Sequence, residues 1–341
     1  KYVEMNTLVS TVLSWARLSK SPLQTASPVT YHITEAFYDE TLENFFEDRF
    51  LSLHIIGRED VRAMLRRAFD AWQHNVPRVS FVESDVGIAD VIITASNLDA
   101  DDVLAYARMN VSSLSIDVSS AHCWYGDSEF CHAVVARSVW LMPLMFSVWT
   151  VSSALLVCLL CRAVHEHDGP LRILLWTLTL APPLFYWGAL QPCLRCYDFN
   201  ALARHEIGHL MGLGHPDQGH NFVGCGPNKA LAAPGGIASI MDSTMARRVD
   251  ACLSQDDVDG ALTIYDASAC GTTVTCYKPT EYIGATRVCM VFLYSFIVAW
   301  CITSFRKCYA VISARIAKVA ENKRQMDVAQ TKKHSRVFMR R

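Results

Sequence analysis

The stretch that decides the fold is ARHEIGHLMGLGHP, residues 203–216. On a helix, His205 and His209 are four residues apart, so both imidazoles project from one face. The glycines that follow let the chain leave the helix and turn back, which brings His215 towards the same point. Three imidazoles around one point predict a zinc centre whose fourth position stays open, the arrangement typical of catalytic zinc.

Glu206 adds a base to this predicted centre. It lies next to the first histidine, where its carboxylate can take a proton from a water molecule at the metal. A bare HExxH pair recurs by chance, whereas the extended HExxHxxGxxH spacing is far more specific. The pattern therefore predicts hydrolysis by an activated water with Glu206 as general base.

The flanking sequence predicts a mixed α/β domain. An apolar stripe over 58–75 predicts an amphipathic helix, the zinc-motif helix should run over about 198–212, and 254–266 opens with a Ser254–Asp257 cap. Alternating or β-branched residues predict strands at 30–37, 79–84, 89–96, 103–109 and 113–120.

These elements resemble the metzincin metalloproteases. The stretch ASIMDSTM, residues 238–245, matches their methionine turn, with Met241 expected beneath the metal. Within that class the chain is similar to the matrixins over about 29–120 and 197–268. The resemblance implies an α+β domain with a twisted five-stranded sheet, three helices and a cleft above the zinc, which acts on protein or peptide substrates.

The chain also departs from the matrixin pattern. Histidines of a second, structural zinc site are expected on a loop and the strands after it, but Tyr106 and Ser115 stand there. We therefore expect one zinc ion. Asp117 matches an acid near the family's calcium sites, and Asp99, Asp101 and Asp102 form an acidic turn. Both calcium and a solvated loop are compatible with these acids.

Three long uncharged apolar stretches occur outside the resemblance. They cover 138–161, 173–192 and 288–305, and each is long enough to cross a bilayer. Pro182 and Pro183 should kink the second. Buried core helices, or a helical lid formed by the first two stretches, are the alternative interpretation of this pattern.

The charges indicate how these spans are oriented. Residues 306–341 hold eleven Lys and Arg against two acids, so they should form a cytoplasmic tail rather than a nucleic-acid site. The predicted catalytic domain then lies outside the cytosol. Eight cysteines fall in the outside regions and are compatible with disulfides, with Cys225 to Cys252 as one candidate pair.

The predicted organisation follows the chain. It comprises an N-terminal remnant or linker (1–28), the two parts of the protease domain (29–132 and 197–268), a transmembrane hairpin insert (133–196), a linker (269–287), a transmembrane helix (288–305) and a basic tail (306–341).

The sequence thus predicts a multi-pass membrane zinc endopeptidase with an extracellular or lumenal catalytic domain. A substrate should lie extended along the strand near 103–109. Two alternatives remain open. One is proteolysis within the membrane, which the polar flanks of the motif and its third histidine disfavour. The other is a membrane adhesion or receptor protein with an inactive protease domain.

Overall fold

A computed structural model describes residues 3–4, 28–45, 56–85, 88–98, 103–110, 113–161, 169–215, 239–245, 252–269, 271–276 and 283–338. Most of the predicted N-terminal remnant, 1–28, lies outside these residues. The chain divides into two compact units. The first contains residues 1–139 and 187–287, and the second contains 140–186 and 288–341.

The first unit is built on a five-stranded sheet, as the sequence predicts. In chain order the strands are β1 (Val3–Glu4), β2 (Val29–Ile33), β3 (Phe81–Glu83), β4 (Val91–Ser96), β5 (Ala105–Asn110), β6 (Ser113–Ser119), β7 (Trp124–Tyr125), β8 (Tyr197–Asp198) and β9 (Thr244–Met245). The main sheet has the order β3-β2-β4-β6-β5. Its strands are parallel except β5, which runs antiparallel to β6 at the edge. Two short pairs, β1 with β9 and β7 with β8, lie apart from it.

The helices are also numbered in chain order. They are α1 (Glu35–Thr41), α2 (Arg58–Asn75), α3 (Ser128–Cys161), α4 (Gly169–Phe185), α5 (Gln191–Arg195), α6 (Phe199–Leu210), α7 (Gln255–Tyr265) and α8 (Ile283–Phe338).

Helix α2 has the predicted bounds, and its apolar stripe forms the buried face. The buried apolar side chains are Val61, Met64, Leu65, Ala68, Phe69 and Trp72. Asp60 accepts a hydrogen bond from the backbone N–H of Gly57, which caps the first turn. The stripe packs into one core with the inward-facing residues of the sheet.

The predicted strand over 30–37 is wrong in its second half. Strand β2 ends at Ile33, and α1 begins at Glu35. Thr34 is the reason, because its hydroxyl accepts a hydrogen bond from the Phe37 backbone N–H and caps the new helix. The helix turns Phe37 into the core.

Disulfides tie the end of the predicted insert to the segment that precedes it. Cys123 bonds to Cys196, and Cys131 bonds to Cys193. Next to these disulfides, β7 and β8 pair in parallel. The two points where the insert leaves and rejoins the first unit are therefore covalently held together.

The predicted pairing of Cys225 with Cys252 is wrong. Cys252 bonds to Cys276 instead, which joins the chain before α7 to the chain after it. Cys225 itself lies outside the described residues. The partner of a cysteine cannot be deduced from spacing, because several pairings satisfy the same sequence.

The second unit contains most of the apolar sequence. The two prolines of α4 lie inside the helix, and a π-helical turn over Tyr186–Leu190 follows them. Within this unit, the Thr179 hydroxyl of α4 donates to the Ser152 hydroxyl of α3, 3.3 Å away. Three helical segments are long and apolar enough to cross a membrane: Ser128–Leu159, Pro170–Arg195 and Val288–Gln325.

Helix α8 is longer than the predicted span. The apolar sequence predicts a crossing over 288–305, yet the helix continues to Phe338. Residues 306–338 contain neither proline nor glycine, so neither of the two residues that most readily break a helix ends it before that point.

Candidate metal centre

Helix α6 carries the zinc motif and is buried along its whole length. Asp198 caps it, since its carboxylate accepts from the backbone N–H groups of Asn200 and Ala201 at 2.9 and 3.2 Å. Phe199, the first helical residue, contacts the aromatic rings of Phe37, Phe45 and Trp124. These contacts fix the position of the helix that presents the histidines.

The turn after α6 brings the third histidine back. The helix ends at Leu210, and Gly212 takes φ +92°, a conformation that L side chains rarely adopt. Backbone bonds from Gly212 N–H to His209 O (2.8 Å) and from Leu213 N–H to Gly208 O (3.0 Å) close the turn. The chain therefore reverses at the predicted glycine.

The three imidazoles converge on one point. The Nε2 atoms of His205 and His209 are 2.9 Å apart, those of His205 and His215 are 3.2 Å apart, and those of His209 and His215 are 3.0 Å apart. All three residues are fully buried. Their possible metal-ligand atoms all lie within 4.8 Å of one another, close enough to bind one metal ion.

Two backbone carbonyls determine which ring nitrogens face the centre. His205 Nδ1 lies 2.6 Å from Ile240 O, and His209 Nδ1 lies 2.8 Å from Leu213 O. A carbonyl can only accept, so both Nδ1 atoms carry the proton and both Nε2 atoms present lone pairs. Burial lowers the pKa of His205 to about 3 and that of His209 well below its usual value, and the neighbouring imidazoles add to both shifts.

This arrangement fits a divalent cation. Lone pairs that face each other at such distances repel, and a cation between them removes the repulsion. Tetrahedral zinc with nitrogen ligands at about 2.0–2.1 Å places those nitrogens about 3.3 Å apart. The separations found here are close to that value.

Glu206 is next to this cluster and almost completely buried. Among the described residues, neither carboxylate oxygen has a partner that satisfies hydrogen-bond geometry. Burial raises the pKa of Glu206 to about 8, and the nearby backbone of Ala107 on β5 offsets this shift only in part. The positive charge of a cation among the imidazoles would also lower the pKa of Glu206. The site thus holds a buried carboxylate beside three metal-ligand nitrogens.

Met241 packs against the helix that carries the cluster and is completely buried. A Cβ added at Gly208 would come within 2.3 Å of the Met241 sulfur and 3.0 Å of a Trp72 ring carbon. Only glycine lets α6 approach the methionine so closely. Trp72 also supports α6 directly, because its indole N–H donates to Arg204 O at 2.8 Å.

Asp257 has a second contact that the sequence pattern does not reveal. As predicted, it caps α7 by accepting from the Ser254 N–H at 2.7 Å. The same buried carboxylate accepts from the Ile240 N–H at 3.0 Å and from the Ser239 hydroxyl. Because Ile240 O receives the His205 Nδ1 proton, Asp257 is linked to the first imidazole through one residue.

The residues considered for other metals do not form a second cluster of this kind among the described residues. Asp117 pairs with Arg108 across β5 and β6, with 2.8 Å between Oδ2 and Nε. Tyr106 lies opposite Asp117 in the same pair of strands. Asp117 therefore gives no support to a calcium site, while the number of zinc ions stays a prediction.

The fold and the cluster together define a metallopeptidase-like domain. The family profile of the matrixins matches residues 50–223, just over half of the chain. The chain belongs to the matrixin family. No curated protein matches the chain. The matched region includes α2, the main strands from β3 onward and the three histidines, whereas Met241 and α7 follow it.

Proposed function

We propose that the protein is a zinc-dependent endopeptidase that cleaves extracellular or lumenal protein substrates. The observation that carries the proposal is the convergence of three imidazole Nε2 atoms beside the buried Glu206 carboxylate. His205, His209 and His215 would hold the zinc ion. Membership of the matrixin family supports this assignment, because metal-dependent peptide hydrolysis is the activity that the family suggests.

Each residue of the site has a role in the proposed reaction. A bound zinc ion would polarise the scissile carbonyl and make the attacking water more acidic. Glu206 accepts the proton of that water and then delivers it to the leaving amine. Its burial suits both steps, because a carboxylate removed from solvent holds a proton more readily than an exposed one.

Strand β5 offers a place for the substrate. It is the edge strand of the main sheet, and no described strand pairs with its outer side. An extended peptide can add to such an edge through backbone hydrogen bonds. Ala107 of β5 lies near the Glu206 carboxylate, so a peptide on this edge would pass close to the base.

The membrane arrangement is part of the proposal. We infer that α3 and α4 form a hairpin of two spans, that 288–305 of α8 is a third, and that the basic tail is cytoplasmic. The disulfides of the first unit support its location in an oxidising compartment, since such bonds persist there. Cysteines in the apolar helices, Cys158, Cys289 and Cys301, are free.

The decisive test measures metal content and peptide cleavage on the same purified protein. Glu206→Gln should keep one zinc ion per chain and lower the rate of cleavage by about 10²–10⁴-fold. Glu59→Gln, a change of the same kind on the exposed face of α2, should leave both unchanged. Zinc binding without cleavage in the unaltered chain would favour the inactive adhesion or receptor protein instead.

A second test concerns the topology. In sealed right-side-out vesicles, an epitope inserted after residue 168 should be protected from added protease, whereas the first unit should be digested. Digestion of the epitope would contradict the hairpin and favour a helical lid outside the membrane.

A further inference from the structure

Helix α8 carries a row of exposed apolar side chains that begins at the last residue of the predicted span and continues past it. They are Phe305 (73% exposed), Tyr309 (67%), Ile312 (55%), Ile316 (64%) and Val319 (68%). We call this row the α8 seam. A helix of 38 residues is far longer than the roughly 20 that a bilayer requires, so Val288–Gln325 cannot lie wholly within lipid. Arg306 and Lys307 mark where the apolar sequence ends.

The spacing of the seam is that of a coiled coil. Its members follow one another by four, three, four and three residues, a mean period of 3.5. This assigns Phe305, Ile312 and Val319 to d positions and Tyr309 and Ile316 to a positions. The half-buried Ile302 occupies the preceding a position. The seam ends at Lys323, which stands at the a position after Val319.

The positions beside the seam favour a parallel pair of identical helices. In such a pair, each g residue faces an e residue of the other chain. Cys308 then faces Ser313, and Arg315 faces Ala320. No two like charges oppose each other at these positions. Three further basic side chains occupy outer positions of the heptad: Lys307 at f, Lys318 at c and Arg324 at b.

A lipid surface is a poorer occupant than a second chain. To lie on the membrane, the helix would have to turn sharply away from the axis of its span. Sharp kinks occur at proline, at glycine or at local helix defects, and residues 306–338 contain neither residue and form one continuous α-helix. The seam is therefore carried away from the bilayer, where lipid cannot cover it.

We propose that the α8 seam pairs with the seam of a second copy of this chain, as a parallel two-stranded coiled coil. Ile302 to Val319 covers only about two and a half heptads, which is short for an isolated pair. Anchoring in one membrane compensates for this, because it raises the effective concentration of the second helix and aligns the two in register. Lys323 at an a position favours a pair of helices and fixes its register at a cost in stability.

This proposal rests on the proposed span over 288–305 but not on zinc or on catalysis. The test uses the full chain in lipid vesicles, with a donor or an acceptor fluorescent protein fused after Arg341. Energy transfer between copies reports pairing, carbonate extraction reports membrane integration, and peptide cleavage is measured in parallel. Loss of pairing, loss of integration and loss of activity are thus separate readings.

Two matched double variants locate the contact. Ile312→Lys with Ile316→Lys places charge on the seam, and Val311→Lys with Ala314→Lys places the same charge outside it on equally exposed positions. The first should weaken association by at least about tenfold, because burial of unpaired charge is costly. The second should retain the energy transfer of the unchanged chain.

Three results would overturn the proposal. They are the absence of energy transfer in the unchanged, membrane-integrated chain, an equal loss in both double variants, and an undiminished signal in the seam variant. The first would favour a lipid surface as the occupant of the seam. The equal loss would indicate that the charge of the tail, rather than the seam, governs association.

Discussion

At the residue scale, Asp257 joins the cap of α7 to the metal centre through Ile240. Asp257→Asn removes the negative charge of this acceptor, so the buried hydrogen bond from the Ile240 N–H is weakened. Because Ile240 O orients His205, we expect zinc affinity to fall about 10–100-fold. Competition with a chelator of known affinity measures this change.

The control for that prediction lies on the same helix. Asp259 accepts from the Gln255 side chain and from the Gly271 backbone N–H, which are not connected to the histidines in this way. Asp259→Asn should leave zinc affinity unchanged. Equal affinities in both variants and the unaltered chain would show that Asp257 serves the helix cap alone.

Asp198 predicts a pH dependence of stability. Burial raises the pKa of Asp198 to about 6. The hydrogen bonds from Ser128 and the α6 backbone lower that pKa, but by less than burial raises it. The folded chain therefore binds this proton more tightly than the unfolded chain, so stability falls as the pH rises from about 4 to about 6. The shift corresponds to roughly 3 kcal/mol.

Asp198→Asn isolates this contribution. The amide oxygen can still cap α6, but the side chain no longer titrates. Between about pH 4 and about pH 6, the unfolding free energy of the unaltered chain should fall by roughly 3 kcal/mol relative to that of this variant. Urea unfolding of metal-free protein at several pH values measures it, and a constant difference would refute the assignment.

At the element scale, the approach of α6 to Met241 depends on one missing side chain. Gly208→Ala would place a methyl group against the Met241 sulfur and Trp72. We expect a loss of about 1–3 kcal/mol in unfolding free energy, typical of an overpacked core. Gly57→Ala controls for the steric clash alone, because its Cβ would meet its nearest neighbour at an ordinary 3.6 Å and its cost is that of alanine at the N-cap of α2.

A double-mutant cycle separates this contact from helix propensity. Met241→Ala alone should cost about 2–5 kcal/mol through the cavity that it leaves. In the double variant the new methyl group occupies part of that cavity, so the combined cost should be smaller than the sum. Additive costs, measured by denaturant unfolding, would mean that the two side chains do not meet.

The elements that the sequence predicts well are those whose periodicity and caps agree. Helix α2 shows its buried stripe in the sequence, and α7 shows its Ser254–Asp257 cap. The end of β2 is hidden in the sequence, because Thr34 fits an alternating strand and yet acts as a helix cap. The length of α8 is hidden too, because a change from apolar to basic residues marks the edge of a membrane and not the end of a helix.

At the scale of the whole molecule, the candidate site could be predicted only in part. The spacing of the motif predicts that His205, His209 and His215 meet, since a helix and a glycine turn bring them together. The contacts that hold this arrangement come from distant parts of the chain. Asp257 and Trp72 reach it through tertiary packing that no local pattern encodes.

Because the three histidines meet only in the folded chain, zinc binding should stabilise the folded state. The inward-facing Nε2 lone pairs of the buried His205 and His209 repel in the folded state, and a bound cation removes that cost. At a free zinc concentration about 1,000-fold above the dissociation constant, binding should add about 4 kcal/mol to stability. For a unit of this size, that corresponds to a rise of roughly 8–16 °C in unfolding temperature.

Thermal unfolding with zinc and with a chelator tests this linkage, and two histidine variants sharpen it. His209→Gln removes one ligand and should abolish most of the zinc-dependent shift. His32→Gln should preserve the shift, because His32 contacts Ser84 O on the sheet, away from the cluster. Zinc competes with protons for the imidazole nitrogens, and because burial lowers the pKa of His205 to about 3, the shift should shrink only as the pH approaches that value. An unfolding temperature that is the same with and without zinc in the unaltered chain would contradict a metal held by all three histidines, because a ligand that binds the folded state must stabilise it.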